Sequence, residues 1–185
     1  MIGDMIRASL LDPTLYERVE HDDAGEGRAR TVILIVALFS GIGAALFSRD
    51  HGAGAMAGAF ALRFSGIWIG WIAWAAVSVW IGTTLTAGDK TRSDFRELRR
   101  TLAYAFSPWV LAVFVFLPGV GPILFAAASF WVLIAGVVAI RQALDFTTTR
   151  AVWTVVSGWV VMMAVLIVFA VLTAVAGIVL GSIGR

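Results

Sequence analysis

The chain has 185 residues, of which 60% are hydrophobic and 14% charged, about half the charged share usual in a soluble domain. A water-soluble fold of this size cannot cover such long apolar runs with polar surface, so the composition makes the bilayer the solvent. A net charge of +2 from 14 basic and 12 acidic residues argues against nucleic acid, and the absence of cysteine excludes disulfides, thiol nucleophiles and cysteine-held metals.

Residues 1–30 read as a cytoplasmic amphipathic segment. Ile2, Met5, Ile6 and Leu10 recur at three- and four-residue spacing opposite Asp4, Arg7 and Ser9, as in a short interfacial helix. Asp12 followed by Pro13 is a helix-start signal, with Asp as N-cap and Pro in the first turn, so a second short helix is expected through Leu15, Tyr16 and Val19. A disordered tail is the competing reading, because 21–30 is polar. Nothing before residue 31 has the pattern of a cleavable signal. Glu17, Glu20, His21, Asp22 and Asp23 form an acidic cluster with one histidine, better suited to a solvated helix end than to a metal, and no cofactor is expected.

Four uncharged runs follow, over 31–48, 65–88, 101–140 and 151–184. About 20 helical residues cross a hydrocarbon core of roughly 30 Å. The third run is long enough for two crossings, and Pro118 and Pro122, with the glycines between them, supply the turn. The expectation is an all-α membrane domain over 31–185 with five spans, near 31–48, 65–87, 101–117, 123–140 and 153–180, the last tilted and fraying near Gly177 and Gly181. Of the 14 basic residues, eleven (Arg7, Arg18, Arg28, Arg30, Lys90, Arg92, Arg96, Arg99, Arg100, Arg141 and Arg150) then fall on one side, against Arg49, Arg63 and Arg185 on the other. Cytoplasmic loops carry the excess of Lys and Arg, so the N-terminus is expected inside and the C-terminus outside.

The Gly- and Ala-rich stretch 51–62 is too short to span and reads as an outer interfacial segment or an N-terminal extension of the second helix, with Arg63 snorkelling to the surface. Trp68, Trp71 and Trp74 fit an aromatic belt or bundle packing. In the connection before the third span, Ser93 is expected to cap a short helix that dips Phe95 and Leu98 into the interface and holds Arg96, Arg99 and Arg100 near anionic headgroups. Within the third span, Pro108 frees the carbonyl of Tyr104, which Ser107 or a neighbouring helix would satisfy; the kink serves packing or a hinge. Arg141 and Asp145, four apart, would share a helix face as an interfacial ion pair or as a polar anchor. The pairs Gly66 with Gly70, Gly41 with Ala45, and Gly177 with Gly181 allow close helix packing, within one chain or in a homo-oligomer.

The segments Arg7-Ala-Ser-Leu-Leu-Asp-Pro-Thr-Leu-Tyr-Glu, Tyr104-Ala-Phe-Ser-Pro108, Leu117-Pro-Gly-Val-Gly-Pro122 and Ile140-Arg-Gln-Ala-Leu-Asp-Phe-Thr resemble the bacterial branch of the Ypt/Rab-interacting-protein (Yip) domain family. The resemblance implies five spans and a cytosolic N-terminus, and points to the bacterial cytoplasmic membrane. Eukaryotic members are linked to Rab GTPases and membrane shaping; bacteria lack Rab machinery, so that partner does not carry over.

The predicted spans hold hydroxyls but almost nothing ionisable, with no Asp, Glu, His, Lys or Arg, and the chain has no paired metal-binding histidines, no Gly-x-Ser-x-Gly elbow and no phosphate loop. No catalytic residue is expected. The function expected is that of a non-enzymatic membrane-organising or adaptor protein acting through its N-terminal segment and its basic connection on anionic lipid headgroups and an unidentified protein partner. The alternative is a lipid or small-solute translocator using a groove between kinked spans.

Overall fold

The structure, a computed structural model, describes residues 1–84 and 95–183, with the side chains of residues 23 and 178–183 outside the description. The described residues form helices and turns without a strand. The helices are α1 (Ile2–Ser9), α2 (Pro13–Glu20), α3 (Glu26–Phe47), α4 (Ala53–Thr84), α5 (Phe95–Ala105), α6 (Val120–Ala143) and α7 (Thr148–Ile183), and a 3-10 segment covers Ser107–Phe116. α3, α4, α6 and α7 are long and apolar enough to cross a membrane.

The N-terminal pair forms because its caps are written locally. α1 ends where Leu11 turns left-handed (φ 62°), with the amides of Leu11 and Asp12 donating back to the carbonyls of Ala8 and Arg7. Asp12 then caps α2, accepting from the Thr14 amide at 3.0 Å, and Pro13 opens the helix where its missing N–H costs nothing. Tyr16 is buried and donates its hydroxyl to the Ala8 carbonyl at 3.2 Å. This segment is folded, and α2 packs on α5 and α6.

α3 and α4 form an antiparallel hairpin against the 3-10 segment and α7. Small residues set the closest approaches. A Cβ on Gly43 would lie 2.4 Å from the Ala112 carbonyl oxygen, so α3 and the 3-10 segment touch backbone to backbone. Trp74 enters the centre of the bundle because Gly136 of α6 and Gly158 of α7 leave room for its ring, and it meets Phe106 at a centroid distance of 5.6 Å. Trp71 and Trp74 are thus core residues and not part of a membrane belt; burying each large aromatic contributes on the order of 2–3 kcal/mol.

Two spans differ from expectation. α4 begins at Ala53, so the stretch before the predicted start at 65 is an N-terminal extension of the second helix, one of its two expected readings, because no proline interrupts the chain from there; its predicted end, 85–87, lies outside the described residues. The predicted third span is a composite of α5 and the 3-10 segment. Pro108, which lacks an N–H, stands second in that segment, where the tighter winding begins. Ten residues at about 2.0 Å each climb about 20 Å, where an α-helix would climb about 15 Å. The turn at Pro118 is as expected: Gly119 takes φ 77° and α6 starts at Val120, with Pro122 in its first turn. α7 is continuous through Gly177 and Gly181.

Candidate functional site

Arg63 lies ten residues into α4, about 15 Å along the helix from Ala53. The space built for a side chain at Gly41 is filled by the Phe60 ring, so in this antiparallel hairpin Arg63 is level with about residue 38, near the middle of α3. Its guanidinium does not snorkel outward. It turns into the bundle, with Cζ 5.3 Å from the Trp109 ring centroid and 4.9 Å from that of Phe125. Its Nη2 is buried without a hydrogen-bond partner. Gly66 and Gly70, one and two turns further along α4, face Leu166 and Met162 of α7 and keep the wall beside Arg63 thin.

Arg63 borders a cavity of ≈ 390 Å³, within the range of small-ligand pockets. The walls are mostly apolar, among them Phe106, Trp109, Phe125 and Leu166, with Ser40 and Ser48 as the neutral polar groups. Among the described residues no Asp or Glu lines it. Ser40 donates to the Trp109 carbonyl at 3.4 Å, and the Trp109 indole donates to Ser129 at 3.2 Å, which fixes the ring under the guanidinium. Its described lining offers a fixed cation and two hydroxyls in an apolar chamber, an arrangement that suits binding an anion.

The other polar assembly joins α2, α3, α4 and α5. Arg99 pairs with Glu26 and lies over Trp71 and Phe95, with Cζ 5.5 and 5.4 Å from the ring centroids; the Trp71 indole donates to the Arg99 carbonyl at 2.9 Å. Arg100 is buried and donates to the Glu20 carbonyl at 2.6 Å. Arg99 and Arg100 therefore tie α5 into the bundle instead of reaching for headgroups, and Leu98 is core; Arg96 alone of the three is exposed. The predicted cap Ser93 lies outside the described residues. Burial pushes the Glu20 carboxyl above its ordinary range, eased by His21 and reinforced by Glu97 and Asp145.

The remaining candidates fall in three places. Asp12, Pro13 and Tyr16 build the α1–α2 turn, where hydrogen bonds from Thr14 and then Arg7 hold the Asp12 carboxyl below its ordinary range. Tyr104, Ser107 and Pro108 are buried at the junction of α5 and the 3-10 segment, but the Ser107 hydroxyl makes no hydrogen bond, so it does not satisfy the Tyr104 carbonyl. Arg141 and Asp145 do not share a helix face. α6 ends at Ala143, Asp145 turns left-handed (φ 50°), and the amides of Asp145 and Phe146 return to the carbonyls of Gln142 and Arg141. Pro118 stands in the turn before α6 and Pro122 in the first turn of that helix. Among the described residues no group of acids and histidines is placed to hold a metal.

No curated protein and no solved structure matches the chain. The family model of the Yip1 domain matches residues 9–182, nearly the whole length. The chain therefore belongs to the Yip1 domain family and is an integral, multi-pass membrane protein.

Proposed function

We propose that the protein organises membrane as a non-enzymatic five-crossing scaffold, with residues 1–30 as a cytoplasmic segment and 31–185 as the membrane domain. One observation carries this reading: α1 buries Met5 and Ala8 against the bundle while Ile2, Ile6 and Leu10 on its other face are 69%, 57% and 72% exposed. The Trp131 indole donates to the Ser9 carbonyl at 2.8 Å and clamps the helix to α6. A clamped helix with an outward apolar ridge inserts into one leaflet and displaces lipid there. The 3-10 segment supports the fifth crossing, since with residues 101–106 it reaches about 30 Å. The Lys and Arg distribution supports a cytoplasmic N-terminus, and the family motifs support a bacterial cytoplasmic membrane; anionic headgroups and a protein partner are the expected contacts.

The test is reconstitution of the full chain into vesicles imaged by cryo-electron microscopy. The protein is expected to narrow vesicle diameters, and the triple variant Ile2→Gln, Ile6→Gln, Leu10→Gln to lose that effect while still inserting. Equal diameters for both refute the reading. Reporters after Arg185 and near Arg92 should report opposite sides; the same side for both refutes five crossings.

The Arg63 cavity favours a second reading, translocation of an anionic lipid between α4 and α7. A fluorescent-lipid flux assay in the same vesicles tests it; no flux above protein-free vesicles rejects it.

A further inference from the structure

A guanidinium stays charged at every accessible pH, and a charge at mid-depth of an apolar bundle is costly unless something neutralises it. The rings of Trp109 and Phe125 offset part of that cost by cation–π attraction, but neither accepts a directed hydrogen bond from the fork. Among the described residues no carboxylate lines the cavity and Nη2 finds no partner. A second groove, of ≈ 390 Å³, runs between α4 and α7 and shares Leu62, Phe169 and Ala170 with the cavity. Exposed Leu62 and Thr173 place it at the bundle surface, and nothing stands within 4 Å of the Cβ position of Gly58, so the groove has room along α4.

The structure assigns to this place one amphiphile, its anionic head (a phosphate ester or a carboxylate) on Arg63 and its acyl chain in the groove between α4 and α7. The head supplies the negative charge and the acceptor oxygens for a guanidinium that no carboxylate of the described lining neutralises. The apolar groove takes the chain without desolvating any protein charge. The assignment concerns equilibrium occupancy: it names a ligand for the translocation reading without requiring flux, and it is independent of the α1 wedge.

The experiment uses the full chain in nanodiscs with photoactivatable lipids of matched acyl chains, mapped by peptide mass spectrometry. The probes are phosphatidylglycerol, phosphatidylcholine and a long-chain fatty acid. Phosphatidylglycerol or the fatty acid should label α4 and α7 at least about tenfold more than phosphatidylcholine, and whichever anion labels identifies the head group. Arg63→Gln should remove that preference by about the same factor. Gly58→Phe, which adds a ring at a groove-lining position whose Cβ meets nothing within 4 Å and keeps Arg63, should lower labelling by both anions. Equal labelling by all three lipids overturns the assignment, as does unchanged labelling in Gly58→Phe. Competition by inorganic phosphate as effective as by lipid overturns the acyl part. Because the comparison between lipids is made in the unsubstituted chain, a poorly folded Arg63→Gln does not remove the test.

Discussion

Arg99 and Arg63 each lie over two aromatic rings at nearly equal distances, yet only Arg99 has a carboxylate, that of Glu26. Around Arg99 the chain supplies acid, carbonyl and indole itself, and the group works as a strut joining α3, α4 and α5. Around Arg63 it supplies rings, mostly apolar walls and two neutral hydroxyls, those of Ser40 and Ser48. Rings position a guanidinium without neutralising it; each arginine leaves one buried nitrogen without a hydrogen bond, Nε of Arg99 and Nη2 of Arg63, but the charge of Arg99 is neutralised within the chain and that of Arg63 calls for an anion from outside.

The sharpest way to break this contrast is Glu26→Gln, which strands Arg99 beside its rings. A loss of about 2 kcal/mol is expected, largely recovered in the double variant Glu26→Gln with Arg99→Leu, because removing both charges removes the stranded one. Thermal unfolding in detergent is the readout, and a double variant as unstable as the single one contradicts the strut. Arg63→Leu should behave oppositely: in detergent without anionic lipid it should be neutral or stabilising by about 1 kcal/mol, since a charge without a partner leaves the interior. A loss matching that of Arg99→Leu would mean that the rings alone suffice.

A smaller effect separates the two indoles. Trp71→Phe keeps a ring under Arg99 but loses the bond to its carbonyl, for about 1 kcal/mol, whereas Trp109→Phe loses a longer bond to the Ser129 hydroxyl, which keeps its own bond to the Phe125 carbonyl, for about half that. Equal losses would contradict the ranking. The smallest effect is in acid. Asp12 has a folded pKa below its unfolded value, so its contribution is full above the ordinary carboxylate range near 4 and is lost as pH falls through the lowered value. The α1–α2 turn should loosen first, followed by hydrogen exchange at residues 8–16. The Arg63 cavity, which no acid among the described residues lines, should keep its exchange rates over the same range.

What the sequence disclosed and what it hid follow from range. The Asp12–Pro13 cap and the turn at Pro118 are decided by residues in direct succession, and both appear where expected, although α6 already starts at Val120 and takes Pro122 into its first turn. Long apolar runs mark helices equally well, though the boundary of α4 moved by twelve residues, because Gly and Ala lower hydropathy without ending a helix. The direction of Arg63 was hidden for a different reason. A long cationic side chain reaches outward or inward from the same backbone, and only the rings of Trp109 and Phe125, 46 and 62 positions later, decide which. The signal available was an arginine inside a stretch with no helix breaker. Asp145 misled because its left-handed turn, usually marked by glycine, is carried here by an aspartate that tolerates it.

The 3-10 winding also has a mechanical side. With three residues per turn, Trp109, Ala112 and Val115 stand in one straight file, and all three face the cavity. Rewinding the segment as an α-helix would advance each step by 100° instead of about 120°, carrying Val115 some 120° around the axis from Trp109 and shortening the segment by about 5 Å. Ten residues in this winding thus act as a drawn spring between α5 and the Pro118 turn, whose relaxation would pull the turn inward and dismantle one wall of the chamber in a single stroke.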